Sequence, residues 1–269
     1  MAIIFRAKTS QAYCWKLLAI LFQLNIRTAC FEVTSDGIKL RMMDTHRYVL
    51  IDMDLQAENF DKFVYNKDTP FFIGLNMPHF HKMLKSIKKK DAIDFYVDDD
   101  NPDDLNIKVI PPKDNNRVTI STIKIQNIQN IRVDVPQNYK KPIIVMSSEY
   151  SKMCKDLVNI GPIISVVHKG NSIRFSCDAG SVYKRQVLFG DDDNDETDAT
   201  EEFRQEFDAE KLTKITNISG LSNNIQIFAK EGCPLLFRSS VGSLGKLSIY
   251  IKSKDMIAND AVQVDEENE

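Results

Sequence analysis

Four histidines, His46, His79, His81 and His168, are the side chains best suited to proton transfer or metal binding near neutral pH, and their spacing supports neither. His79 and His81 stand two residues apart, so a helix would turn them to different faces. None has the neighbours of a nucleophile triad. The five cysteines, Cys14, Cys30, Cys154, Cys177 and Cys233, are scattered, odd in number and without CxxC spacing, which suggests neither a zinc site nor a disulfide framework and makes most of them small buried apolar residues. The acidic run Asp191–Glu202 lacks the glycine-containing spacing of a calcium loop. These residues point away from an enzyme, and they call for no metal and no cofactor.

Charge is more informative than any single reactive group. Asp98–Asp104 carries five acids, Asp191–Glu202 eight and Asp260–Glu269 five, with no Lys or Arg among them. Setting these eighteen charges aside moves the formal net charge from −3 to +15, so the body of the chain is basic. The first two runs read as solvated loops and the third as a frayed tail, because none has enough apolar surface to bury. The basic residues that recur along the chain are lysines: Lys16, Lys82, Lys85, Lys88, Lys89, Lys90, Lys152, Lys155, Lys211 and Lys214. Lysines spread over several elements, with no Arg/Asn/Gln cluster on one of them, suit contact with phosphates and not the reading of bases. The expected binding is to the phosphates of DNA, independent of sequence and sensitive to salt. Exposed helix faces also carry lysines for solubility alone, and Lys88–Lys90 would complement a helix C-terminus in any protein.

The elements that position these lysines follow a repeat. An apolar run Ile3–Ala7 precedes Ser10–Leu24, where Cys14, Leu17, Leu18, Leu21 and Phe22 recur at helical spacing. Ala29–Thr34 and Ile38–Met42 then flank Ser35-Asp36-Gly37, whose Asp-Gly pair favours the positive φ angles of a tight hairpin, and Tyr48–Leu55 follows. The order of strand, helix and three strands returns with Phe71–Leu75, Met77–Ile87, Ala92–Val97, a turn at Asn101-Pro102, Leu105–Ile110 and Val118–Ile125. A third copy comprises Pro142–Met146, Ser148–Asn159, Ile163–His168, Ser172–Cys177 and Val182–Phe189. The fourth comprises Glu202–Phe207, Ala209–Ile218, Ile225–Ala229, Leu235–Ser239 and Leu244–Ile251.

The expected fold is therefore α+β, with two similar domains of two β-α-β-β-β units each and helices on one face of antiparallel sheets. The domains span residues 1–125 and 142–256, with a connector at 126–141 and an acidic disordered tail at 257–269. The connector, with Pro136 and no helical period, reads as extended over the surface, and its Val133, Val135, Pro136 and Tyr139 are more apolar than a passive linker requires. No apolar stretch approaches the roughly 20 residues of a membrane span, and the N-terminus lacks the apolar core of a secretory signal, so no membrane partner is expected.

Ala29–Leu40 followed by Met43-Asp44, together with Cys154-Lys155-Asp156-Leu157-Val158-Asn159-Ile160-Gly161, resembles the eukaryotic and viral DNA sliding clamp family typified by proliferating cell nuclear antigen. Gly74-Leu75-Asn76-Met77, Lys82-Met83-Leu84-Lys85 and Cys233-Pro234-Leu235 are similar as well, and the likeness covers nearly the whole chain. The resemblance implies the processivity fold of a non-enzymatic DNA polymerase processivity factor. It implies three subunits closing head to tail into a homotrimer around duplex DNA, with the helices lining the hole.

It further implies that the edge Val118, Thr119, Ile120, Ser121, Thr122, Ile123, Lys124 of one subunit pairs with Val182, Tyr183, Lys184, Arg185, Gln186, Val187, Leu188 of the next. A partner-peptide pocket beneath the connector would draw on Met43, Arg47, Tyr48, Leu50, Val133, Val135, Pro136, Pro234, Tyr250 and Lys252. Implied partners are the polymerase, other replication and repair proteins, and a clamp loader. The implied location is the nucleus, or a cytoplasmic replication site for a viral chain. Arg47, Tyr48 and Lys252-Ser253 depart from the family pattern of histidine, a small aliphatic residue and Ala-Pro, and so suggest a narrower, more basic pocket. A clamp-like platform acting as a monomer, a checkpoint heterotrimer subunit or a transcription accessory is the alternative use of the same fold.

Overall fold

The computed structural model describes residues 2–112, 117–130, 133–180, 182–191 and 203–266. In chain order the first elements are β1 (Ile3–Thr9), α1 (Ala12–Asn25), β2 (Thr28–Thr34), β3 (Gly37–Met43), β4 (Val49–Gln56) and β5 (Lys62–Tyr65). Then come β6 (Phe71–Asn76), α2 (Met77–Leu84), β7 (Ala92–Asp98), β8 (Asn101–Ile110) and β9 (Thr119–Lys124). The second half holds β10 (Ile143–Met146), α3 (Ser147–Val158), β11 (Ile163–Lys169), β12 (Ser172–Asp178) and β13 (Lys184–Gly190). It closes with β14 (Phe203–Asp208), α4 (Ala209–Lys214), β15 (Asn224–Phe228), β16 (Leu235–Val241), β17 (Gly245–Ile251) and α5 (Lys254–Glu266). The strand, helix, three-strand order thus occurs four times.

The chain divides into two compact units. The first comprises Met1–Thr45, Ile51–Val133 and Ser240–Leu247, and the second His46–Leu50, Asp134–Ser239 and Ser248–Glu269. Each therefore borrows a short segment from the other half of the sequence.

In the first unit an antiparallel sheet runs β5-β1-β7-β8-β9, and β6, β2 and β3 pair in a second antiparallel ladder. Helix α1 reaches both: Trp15 meets Phe95 of β7 at a 4.8 Å ring separation, and Phe22 meets Phe31 of β2 at 6.1 Å. Helix α2 adds Phe80, 6.2 Å from each of Phe31 and Phe95. Edge-to-face and tilted aromatic packing of this kind adds to the transfer free energy of burial. Asn76 starts α2 by accepting a hydrogen bond from the His79 amide at 3.1 Å, with Pro78 in the first turn where its missing N–H costs nothing.

The second unit repeats the plan with the sheet β13-β12-β11-β14 and the strands β10, β15 and β16. Tyr150 of α3 is fully buried between Phe175 and Phe237, at 6.2 and 5.3 Å, and its hydroxyl donates to the Leu212 carbonyl of α4 at 3.2 Å. That bond satisfies the one polar atom the core must bury with the ring.

Several expectations require correction. The first hairpin forms, but its loop is Ser35-Asp36, with Thr34 opposite Gly37. Gly37 is required because a Cβ there would lie 1.9 Å from the Leu55 carbonyl oxygen. Asn101-Pro102 is not a turn, since β8 begins at Asn101. Strand β5 was not expected at all. Helix α4 stops at Lys214 and continues as a 3₁₀ turn, Thr216–Gly220, where the Thr213 and Thr216 hydroxyls donate to the carbonyls of Ala209 and Thr213.

The expected disordered tail at 257–269 is helical as far as Glu266. Ser253, itself buried, accepts from the Met256 amide at 3.3 Å and starts α5, and a salt bridge from Lys252 to Asp260 holds its middle. The Asp191–Glu202 loop lies outside the described residues beyond Asp191.

Candidate functional site

The lysines sort by what their ammonium groups already do. In the first unit Lys82 is exposed on α2, opposite the buried Met77, Phe80 and Leu84, and Lys85, Lys88, Lys89 and Lys90 are exposed in the residues that follow it. Lys16 is half-buried and donates to the Ile87 carbonyl at 2.9 Å, and with Lys89 it flanks the Tyr13 ring, at 5.8 and 5.9 Å. The field of this cluster is visible on His81, whose pKa lies below the usual value because of burial first, then Lys85 and Lys16. Arg27, exposed just beyond α1, adds a cation that a reading confined to lysines missed.

In the second unit Lys152 and Lys155 are exposed on α3 in one stripe with Ser148 and Asn159. Lys214 pairs with Glu210 at 2.7 Å, and Lys211 lies 5.1 Å over the Tyr48 ring. Lys211 and Lys214 are thus engaged within the chain, and Lys211 is gathered with a residue expected in the peptide pocket.

Both strands expected to form subunit edges stand at sheet edges. β9 pairs with β8 alone and β13 with β12 alone. Val118, Thr119, Ile120, Thr122 and Lys124 are exposed, and Ser121 and Ile123 half-buried. Of the opposite set, Val182 and Tyr183 precede the strand at 77% and 54% exposure, Lys184, Arg185, Gln186 and Leu188 are exposed, and Val187 is half-buried. Lys124 is held by Asp104 at 2.6 Å and Arg185 lies 3.8 Å from Asp156.

The residues expected in the pocket divide between surface and interior. Arg47 is exposed and Tyr48, Val135, Pro136 and Lys252 are half-buried in the second unit, whereas Met43 and Val133 are half-buried in the first. Leu50, Pro234 and Tyr250 are buried. Tyr139 explains this: its ring packs 6.3 Å from Tyr250 and 6.1 Å from Phe228, and its hydroxyl donates to the Pro234 carbonyl at 2.7 Å. Burial raises the Tyr139 pKa strongly, so it remains a donor. Pro234 and Tyr250 thus pack against Tyr139 of the connector, and Leu50 is buried. Tyr139 belongs with the site, and the apolar bias of the connector was its only sequence signal.

Arg47 has φ 59°, a left-handed conformation that costs a side-chain-bearing residue about 1–2 kcal/mol. It turns the chain between His46 and Tyr48, whose rings stack at 5.7 Å. The Lys252 amide donates to the Tyr48 carbonyl at 2.9 Å, so β17 fixes this turn.

Among the described residues no group of three or more potential ligands could hold a metal ion, and no helix is long and apolar enough to cross a membrane. All five cysteines are free thiols, and burial pushes Cys154 up to about 12, leaving it protonated and inert at neutral pH.

Two repeated α+β units with exposed lysines on their helices and strands left at open sheet edges are what the structure presents, and comparison with known proteins is specific about their class. The N-terminal domain model of proliferating cell nuclear antigen matches residues 4–134 and the C-terminal domain model residues 134–254. A probable DNA polymerase sliding clamp 1 of Paramecium bursaria Chlorella virus 1 is 25% identical over 93% of this chain and 96% of its own. The proliferating cell nuclear antigens of Chaetomium thermophilum and Dictyostelium discoideum are 26% and 27% identical, over 92% and 93% of this chain and 97% and 99% of theirs. The chain belongs to the proliferating cell nuclear antigen family of DNA sliding clamps. Its fold is the α+β clamp fold, and its role is that of a non-enzymatic, DNA-binding processivity factor for DNA polymerase in replication.

Proposed function

We propose that three copies of this chain close into a ring around duplex DNA, and that the ring tethers polymerase and other replication and repair proteins through short peptides bound at the connector. The observation that carries this reading is the pair of unpaired edges, β9 and β13, each bearing exposed apolar residues. An open edge with apolar side chains invites uncontrolled pairing unless a partner edge covers it. Two different edges on one chain allow a head-to-tail contact, which forms a ring when the rotation from each subunit to the next closes after three copies.

The exposed lysines of α2 and α3 then hold the duplex loosely. Nonspecific phosphate contacts typically have dissociation constants of about 10⁻⁴–10⁻⁶ M, so retention comes from closure and the contacts permit sliding. A closed ring needs a loader to open it. The location is the nucleus, or a cytoplasmic replication site for a viral chain. Partner peptides present apolar anchors to the connector, where Tyr139 moves to admit them, and Val135, Pro136 and Tyr48 form the accessible wall.

The test is topological. After loading onto nicked circular DNA the protein is expected to co-elute with the DNA in gel filtration, and to be lost once the circle is linearised. Equal retention on both forms would overturn the ring.

A further inference from the structure

Lys252 carries chemistry that the docking site just proposed does not use. Only 19% of its side chain is exposed, and its ammonium pairs at 2.5 Å with Asp260 of α5, whose own side chain is 50% exposed. A lysine so far withdrawn from water needs a counter-charge close by. The chain supplies it from its own C-terminal helix. That helix is lightly held: α5 packs against β14, and Met256 and Ile257 are half-buried while Ala258, Asn259, Asp260, Ala261 and Val262 are exposed.

Two further cations belong to the same neighbourhood of the chain through Tyr48. The Lys252 amide is bonded to the Tyr48 carbonyl, Lys211 lies over the Tyr48 ring, and Arg47 is exposed at the strained position next to it. We propose that this rim selects peptides carrying a carboxylate beside their apolar anchors, and that Asp260 of α5 holds the carboxylate position until such a peptide displaces the helix. The charge complementarity is direct: Lys211 lies over the Tyr48 ring, Arg47 adjoins Tyr48 in the chain and Lys252 is already paired with a carboxylate, while the segment from Asp260 onward carries five acids and no basic residue. A basic flank would meet Arg47, Lys211 and Lys252 with like charge, so the rim rejects as well as attracts.

The proposal rests on the docking reading, and the test separates the two. Two fluorescein-labelled synthetic peptides share the same apolar anchors, one flanked by aspartates and the other by lysines, and binding to the full chain is followed by anisotropy. The aspartate-flanked peptide is expected to bind more tightly. Asp260→Asn is expected to tighten it further by roughly two- to fivefold, the range of a partly exposed ion pair, without tightening the lysine-flanked peptide. Lys252→Gln is expected to remove the difference between them. Hydrogen exchange is expected to show α5 amides losing protection when the aspartate-flanked peptide binds.

Equal effects of Asp260→Asn on both peptides, or binding with α5 still protected, would overturn the proposal while leaving docking intact. Failure of both peptides to bind wild type and variants alike would overturn docking, and the proposal with it.

Discussion

The Arg6–Asp94 pair shows what a single residue decides in this fold. Asp94 is 1% exposed on β7, and Arg6 of the neighbouring β1 donates to both its oxygens, at 3.0 and 2.6 Å, which raises the Arg6 pKa through the hydrogen bond. Removing the cation leaves a buried carboxylate alone. Arg6→Ala is expected to cost about 2–3 kcal/mol in urea denaturation, less than the about 3–5 of a fully buried pair because Arg6 is partly solvated. A loss below about 1 kcal/mol would refute the assignment. The sequence could not reveal the pair, because its members stand 88 residues apart and meet only through the β1–β7 register. His168 offers a pH readout. Burial, and then Lys140, hold its pKa below 6.5, so the unfolded chain takes up the proton first as pH falls. Its stabilising effect is complete above pH 6.5 and is lost as pH drops through the lowered folded value. The melting temperature is expected to decline on acidification with a shallower slope in His168→Gln, and identical slopes would exclude this cause.

At the scale of elements, the edge strands carry the argument for assembly, and their exposed side chains are the place to break it. Ile120 is 57% exposed on β9, and a carboxylate there would have to be desolvated against a partner strand. Ile120→Asp is expected to shift the protein towards monomer in sedimentation velocity, and so is Val182→Asp before β13. Val262→Asp on α5, starting from the same 57% exposure, is the control and should leave the mass unchanged. An Ile120→Asp protein that sediments like wild type would sink the edge-pairing model. The strands themselves were legible in the sequence through alternation and turn residues. Edge status was not, because it depends on sheet order, which no local pattern records, and pairing was inferred by resemblance. Strand β5 escaped notice because Lys62–Tyr65 offers four residues and a single apolar alternation. The tail was read from its acidic composition, which hides the helix start at Ser253, where the buried hydroxyl accepts from the Met256 amide. The pocket list was drawn from family likeness and so omitted Tyr139, whose contacts with Tyr250 and Pro234 arise from the path of the connector.

For the whole molecule the governing quantity is the separation of charge from charge. A formal net charge of −3 would by itself argue against a polyanionic partner, yet eighteen of the 38 acids are gathered in three runs, Asp98–Asp104, Asp191–Glu202 and Asp260–Glu269, that hold no Lys or Arg. Exposed lysines remain on α2 and just after it in the first unit and on α3 in the second, with the proposed role of contacting phosphates. Sequence-independent binding of this kind releases condensed counterions, so log K should fall linearly with log salt, by about 0.9 for each phosphate neutralised. On a short linear duplex, where closure cannot retain the protein, this slope reports the lysines directly. Lys82→Ala, Lys152→Ala and Lys155→Ala are each expected to flatten it by up to about 1 and to weaken binding equally on unrelated duplex sequences. Lys214→Ala should do less, since its ammonium is already neutralised by Glu210. A variant that weakens binding to one sequence and not another, or a slope unchanged when all three exposed lysines are removed, would show that the duplex lies elsewhere.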